Sequence, residues 1–194
     1  MKRYLAVFAC FSLLLCACGA AQPEFRVQNL QHRYTETERM TANVAVSVVC
    51  ADETASYRLH LEHGADETKI TLLEPEEIAG IGAVVSSGEL SIVYDGMVLS
   101  AGSLMPGLSA VNAADVVLRA AADGYVTEQS YERYEDTEAL RLCLETELDG
   151  ETLRTIVFFD AEDAPLYAEI ESQGEILAYL EFTDFAFGDI LPTA

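Results

Sequence analysis

Basic side chains are scarce in this sequence. Lysine and arginine total 11 against 33 aspartates and glutamates, for a formal net charge of −22. A surface that negative repels phosphate backbones, which excludes a nucleic-acid partner. Tryptophan is absent, histidine occurs three times and cysteine five times, so little material exists for a soft-metal site. Beyond the N-terminal segment, no stretch is long and apolar enough to supply the roughly 20 residues that a bilayer-spanning helix needs. Apolar residues nonetheless make up 51% of the 194 residues and charged ones 23%, which excludes a disordered chain. That length suits one core of ordinary size.

The N-terminus reads as an address. Lys2 and Arg3 precede an apolar run from Tyr4 to Leu15, too short to span a bilayer and of the length of a secretory signal. The run stops at Leu15-Cys16-Ala17-Cys18-Gly19, which resembles the bacterial lipobox. That resemblance implies cleavage after Ala17 and a palmitate/diacylglycerol anchor on Cys18. The alternative is an ordinary signal peptide with incidental cysteines, but the cysteine falls where the apolar run ends. Two acyl chains also make physical sense, since one alone binds a membrane only marginally. Residues 1–17 are thus expected to be a lipoprotein signal peptide, 18–24 a lipidated tether and 25–190 the folded domain. The expected location is the extracytoplasmic face of the cell membrane. Loss of Lys2 and Arg3 takes the net charge from −22 to −24, so the body should stand off anionic headgroups. A six-residue tether lets it do so by at most about 20 Å.

Cys50 and Cys143 remain after export. Cys50 shares the parity of Val44, Val46 and Val48, and Cys143 that of Arg141 and Glu145. The two thiols therefore belong to opposite sheet faces and are not expected to form a disulfide.

Residues 24–38 read as one amphipathic helix with Val27, Leu30 and Tyr34 on its apolar stripe and Pro23 at its start. From Arg39 the period changes to two. Six strands are expected, from Met40 to Val48, Tyr57 to Leu61, Lys69 to Leu73, Ala83 to Ser86, Leu90 to Tyr94 and Met97 to Ala101. Asp95-Gly96 is a strong hairpin signal. A second helix is expected over Ala113 to Asp123, with Asn112 as N-cap and Gly124 just past its end. Five more strands follow, with Asp149-Gly150 as another hairpin turn. Short loops favour an antiparallel meander. About eleven strands make a sheet large enough to curl, and two helices cover only part of its apolar face. The uncovered part is where a ligand could sit.

Several phrases resemble LolA/LolB-like lipoproteins, a group related to LppX and RseB: Arg39-Met40-Thr41-Ala42-Asn43-Val44, Tyr57-Arg58-Leu59, Leu73-Glu74-Pro75-Glu76, Tyr94-Asp95-Gly96 and Phe182-Thr183-Asp184-Phe185. The resemblance implies an α+β fold in which a curved antiparallel half-barrel carries two helices on or in its concave face. It also implies binding of a lipid or a lipoprotein acyl chain, or in some members a regulatory contact with a protein. It brings no catalytic motif and no cofactor.

The residues themselves supply no enzyme either. His60-Leu61-Glu62-His63 looks like a ligand cluster, but residues three apart on a strand face opposite sides. The acidic turns Asp160-Ala161-Glu162-Asp163 and Tyr134-Glu135-Asp136-Thr137-Glu138 lack calcium-loop spacing and read as solvated loops. Ser86-Ser87-Gly88 and Ser109 lack the surroundings of a nucleophile elbow. The expectation is a non-catalytic, membrane-anchored binding protein without metal or cofactor. Its cavity would be lined by Val44, Val46, Leu59, Leu61, Ile92, Leu142 and Leu144. The alternative is an RseB-like or germination-lipoprotein-like sensor that fills its own cavity and binds a basic envelope protein.

Overall fold

Period-two and helical patterning resolve into thirteen main elements. The computed structural model describes residues 23–50, 53–86, 89–103, 108–148 and 150–188. The expected signal peptide, the expected anchor Cys18 with its tether up to Gln22, and Asp149 lie outside the described residues. Helix α1 (Pro23–Glu36) is followed by β1 (Arg39–Cys50), β2 (Glu53–Gly64), β3 (Glu67–Glu74), β4 (Gly82–Ser86), β5 (Glu89–Tyr94) and β6 (Met97–Ser103). Helix α2 (Ala110–Asp123) leads to β7 (Tyr125–Tyr134), β8 (Thr137–Leu148), β9 (Glu151–Phe159), β10 (Pro165–Ser172) and β11 (Glu175–Phe187).

All eleven strands join one antiparallel sheet in the order β6-β5-β4-β3-β2-β1-β11-β10-β9-β8-β7. Two meanders meet where the first strand pairs with the last, with Val44 opposite Phe182 and Val46 opposite Leu180. Strand count and short turns pointed to a large antiparallel meander, and the open α+β half-barrel that the family resemblance implied is what forms.

Connectivity limits how far the sheet can flatten. Strands β6 and β7 occupy the two ends of the sheet, yet only residues 104–124 join them. Ten inter-strand gaps laid flat would span about 48 Å. Helix α2 has 14 residues and covers about 21 Å. The extended steps on either side of it add at most about 32 Å. A flat sheet would stretch this link almost to its limit, whereas ends that bend toward each other leave it slack. Helix α2 crosses the concave side, packing on β1, β2 and β8–β11, while α1 lies against α2.

Alternation along the strands points one parity inward. Met40, Ala42, Val44, Val46 and Val48 of β1 are buried, and so are Leu59, Leu61, Ile70, Val157, Ile170 and Leu180 on the neighbouring strands. Asp95-Gly96 forms the expected turn with both residues at positive φ (48° and 75°), and Gln173-Gly174 repeats it at 52° and 85°.

Helix α2 departs from expectation at both ends. It begins at Ala110, three residues early, because Ser109 is the N-cap and Asn112 is the reciprocal member of a capping box. The Asn112 N–H donates to Ser109 Oγ at 3.4 Å, and the Ser109 N–H donates to Asn112 Oδ1 at 2.7 Å. At the other end Gly124 is extended (φ −61°, ψ 143°), not left-handed. Glycine is required there for space, since a Cβ would lie 2.5 Å from the Ala120 carbonyl oxygen.

The acidic turn after β9 is more than a solvated loop. It is the seat of α1. Arg26 Nη2 donates to the Asp160 carbonyl at 2.6 Å, Arg33 Nη1 to the Glu162 carbonyl at 2.6 Å and Tyr34 Oη to the Asp163 carbonyl at 2.8 Å. The Asp163 carboxylate lies 3.6 Å from Arg26 and 3.5 Å from Arg33. The Tyr34 ring meets Phe159 and Phe187 edge-on, with centroids 5.9 and 5.2 Å away. Burial raises the Tyr34 phenol well above its ordinary pKa, with the Asp163 charge adding to the effect.

Candidate functional site

The seven residues expected to line a cavity all lie on the concave face. Six of them, Val44, Val46, Leu59, Leu61, Leu142 and Leu144, are fully buried in the core that α2 covers. Ile92 differs, being 37% exposed.

Ile92 belongs to an uncovered strip. Ala83 lies opposite Ile92, Ile92 opposite Leu99 and Tyr94 opposite Met97, and directly opposed residues share a face. Ala83 is buried on the concave side, so Ile92, Tyr94, Met97 and Leu99 face that side too. Tyr94 is 54% exposed, Met97 59% and Leu99 63%. The concave face thus runs from a closed core under the helices to an apolar ledge on β5 and β6. Large apolar side chains exposed together mark an interaction site on a soluble domain. Tyr94, Met97 and Leu99 were missed as site residues, although Asp95 is the single charged residue between Glu89 and Asp115.

A polar latch holds α2 beside this ledge. His63 Nδ1 and Thr68 Oγ1 are 2.8 Å apart, and Thr68 Oγ1 donates to Asp115 Oδ1 at 3.0 Å. Asp115 Oδ2 also pairs with Arg119 at 2.6 Å. Since the threonine proton goes to Asp115, Nδ1 of His63 is the donor to Thr68. Burial lowers the His63 pKa below 6.5, opposed by the Asp115 charge and assisted by Arg119. A depressed histidine pKa means that the unfolded chain takes up the proton first, so stability present above about pH 6.5 is lost as pH falls. The unfolding free energy of the wild type is therefore expected to drop relative to that of His63→Gln between about pH 6.5 and pH 5. Parallel pH profiles in urea titrations would show that His63 is not part of this balance.

Other features carry less. An open groove of about 590 Å³ runs between α1 and β7, lined by Val27, Gln28, Gln31, Ala122, Tyr125 and Gln129 among others. Its lining mixes polar and apolar groups, and Gln31 Nε2 is already engaged with the Gly124 carbonyl at 2.8 Å. His60 and His63 do face opposite sides, with His60 Nδ1 2.9 Å from Asn43 Oδ1. Cys50 is exposed, Cys143 is buried, and both are free. Among the described residues no group of three or more His, Cys, Asp or Glu is placed to hold a metal ion. No helix among them is long and apolar enough to cross a membrane.

No family model matches the sequence, and no curated protein matches it. Among solved structures, an uncharacterized conserved protein from Thermus thermophilus superposes with a TM-score of 0.51 at 12% identity, over 88% of this chain and 90% of that one. A LolA superfamily protein from Nitrosomonas europaea gives 0.49 at 14% identity, over 89% and 96%. The Mycobacterium tuberculosis lipoprotein LppX gives 0.46 at 12% identity, over 83% and 93%. At these identities the likeness is one of fold.

Proposed function

We propose that this chain is a membrane-anchored, extracytoplasmic lipoprotein that binds a lipid or an acylated ligand without catalysis. The ligand lies against the ledge of Ile92, Tyr94, Met97 and Leu99. The observation that carries this reading is the joint exposure of those four apolar side chains at the β5–β6 end of the concave face. Each methylene moved from water onto such a surface gains up to about 0.8 kcal/mol. An acyl chain of ordinary length therefore gains on the order of 10 kcal/mol at full burial, and correspondingly less on an open ledge, before ordering costs. The lipobox ending at Cys18 supports the location.

A second reading is favoured by a different observation. Helix α2 packs over the concave core, where Val44, Leu59 and Leu142 are at most 1% exposed. A self-filled half-barrel suits a regulatory module that binds a protein, and the net charge of −22 suits a basic partner.

Native mass spectrometry of the full-length chain, extracted in mild detergent, separates the two. The first reading expects a co-purifying lipid mass on the wild type that is lost in an Ile92→Ser/Leu99→Ser variant. An adduct-free wild type that captures a basic envelope protein in low salt and releases it in high salt would overturn the first reading and support the second.

A further inference from the structure

We propose that β6 is the surface through which a second copy of this chain binds, strand edge to strand edge about a two-fold axis. The inference concerns the backbone edge of the sheet. It does not rest on the ligand reading, which concerns side chains of the concave face.

The two ends of the sheet are unequal. Strand β7 ends one side and carries the devices that keep an edge from pairing. Glu128, Glu132 and Arg133 are charged, and its register shifts between Val126 and Glu128. Strand β6 ends the other side as Met97-Val98-Leu99-Ser100-Ala101-Gly102-Ser103, with no charge and no proline. Among the described residues it pairs only with β5, so the backbone N–H and C=O groups along its far edge have no strand partner. Met97, Val98 and Leu99 are each more than half exposed, and they cover both faces of the strand.

Charge selects the occupant. Asp95 is the single charged residue between Glu89 and Asp115, in a chain with 33 acids and 11 bases. Two copies at −22 each repel one another over most of their surfaces. The β6 end is the place where they can meet without bringing carboxylates together. A basic partner would find nothing to pair with here, whereas an identical neutral edge is self-complementary.

Met97, Val98 and Leu99 lie on the pairing strand itself and are exposed, so apolar side chains flank the seam on both faces of the sheet. A two-fold axis perpendicular to the sheet keeps both concave faces on one side, so the two ledges become one continuous trough. Val98 lies opposite Val93 on the convex face, so a change there leaves the ledge intact.

Sedimentation equilibrium and native mass spectrometry of the full-length chain in density-matched detergent test this. The wild type is expected to be a dimer whose association tightens as salt rises from 0.1 to 1 M. Over that range the screening length falls from about 10 to about 3 Å, weakening the mutual repulsion. Val98→Glu is expected to weaken self-association at least tenfold while retaining the co-purifying lipid. Ser100→Lys, which places a charge on the same edge, should do the same and guards against a folding defect in either variant. A wild type that is monomeric at every salt concentration overturns the proposal, as does a dimer that survives both substitutions. A dimer without lipid would sink the ligand reading alone, and a lipid-bearing monomer would sink this one alone.

Discussion

Replacing Phe159 by alanine is expected to lower the unfolding free energy by about 3–5 kcal/mol, the range for deleting a buried phenyl ring. Phe159 is fully buried at the end of β9, opposite Leu140 on one neighbouring strand and Pro165 on the other. Its ring also meets Tyr34 of α1 at an interplanar angle of 71°. The cavity left behind would open between sheet and helix, where the Arg26, Arg33 and Tyr34 bonds to the turn at 160–163 fix the distance and prevent collapse. The neighbouring Phe158 provides the control. It faces the convex side beside Tyr134 and Tyr167, is only half-buried, and should cost much less when truncated. Urea unfolding of the two variants measures both values. A loss below about 1.5 kcal/mol for Phe159→Ala would show that α1 moves in to fill the gap, contrary to the clamp described for it.

Cys18→Ala is expected to move essentially all of the protein from the membrane fraction to the soluble fraction. Under the anchor proposed here the attachment is the acyl chains on that one sulfur, and a single chain already marks the boundary of stable binding. The body offers no substitute. A net charge of −22 disfavours anionic headgroups, and no helix among the described residues is suited to crossing. Cys16→Ala should leave the distribution unchanged, because the lipobox pattern puts the modified cysteine at 18. Fractionation followed by detection of both variants decides the matter. A Cys18→Ala chain that has lost residues 1–17 and still stays with the membrane would mean that the exposed ledge, and not the N-terminus, holds the protein there.

Most of the architecture was legible because strands announce themselves by parity. Met40 through Val48 alternate without interruption, and all five residues of that parity are buried. Asp95-Gly96 identified a turn because few other pairs tolerate two successive positive φ values. The first turn of α2 was hidden because Ser109 follows a proline- and glycine-bearing stretch that reads as loop up to Asn112. Asp115 has no role in the sequence reading, yet it sits in the interior, accepting from Thr68 and paired with Arg119.

Parity groups Val44, Leu59, Ile92 and Leu142 on one strand face. Which of them α2 would hide depends on where a crossover from one sheet end to the other comes to rest, a tertiary fact without a local signature. The pairing of Arg26 and Arg33 with Asp163 escaped for the same reason, since the partners are about 130 residues apart in the chain and nothing in either segment points to the other.

The pairing of β1 with β11 has a consequence for biogenesis. An exported polypeptide emerges amino end first, so the first meander is delivered while the strand that must complete it is still inside. Until Glu175–Phe187 arrives, the open side of Arg39–Cys50 offers its hydrogen-bonding groups to any passing chain. Closing a contact of such long sequence separation is slow, and the waiting intermediate is prone to aggregate. The last strand to appear thus sets the pace of maturation, and truncations near the carboxyl end should be punished more severely than their few lost residues imply.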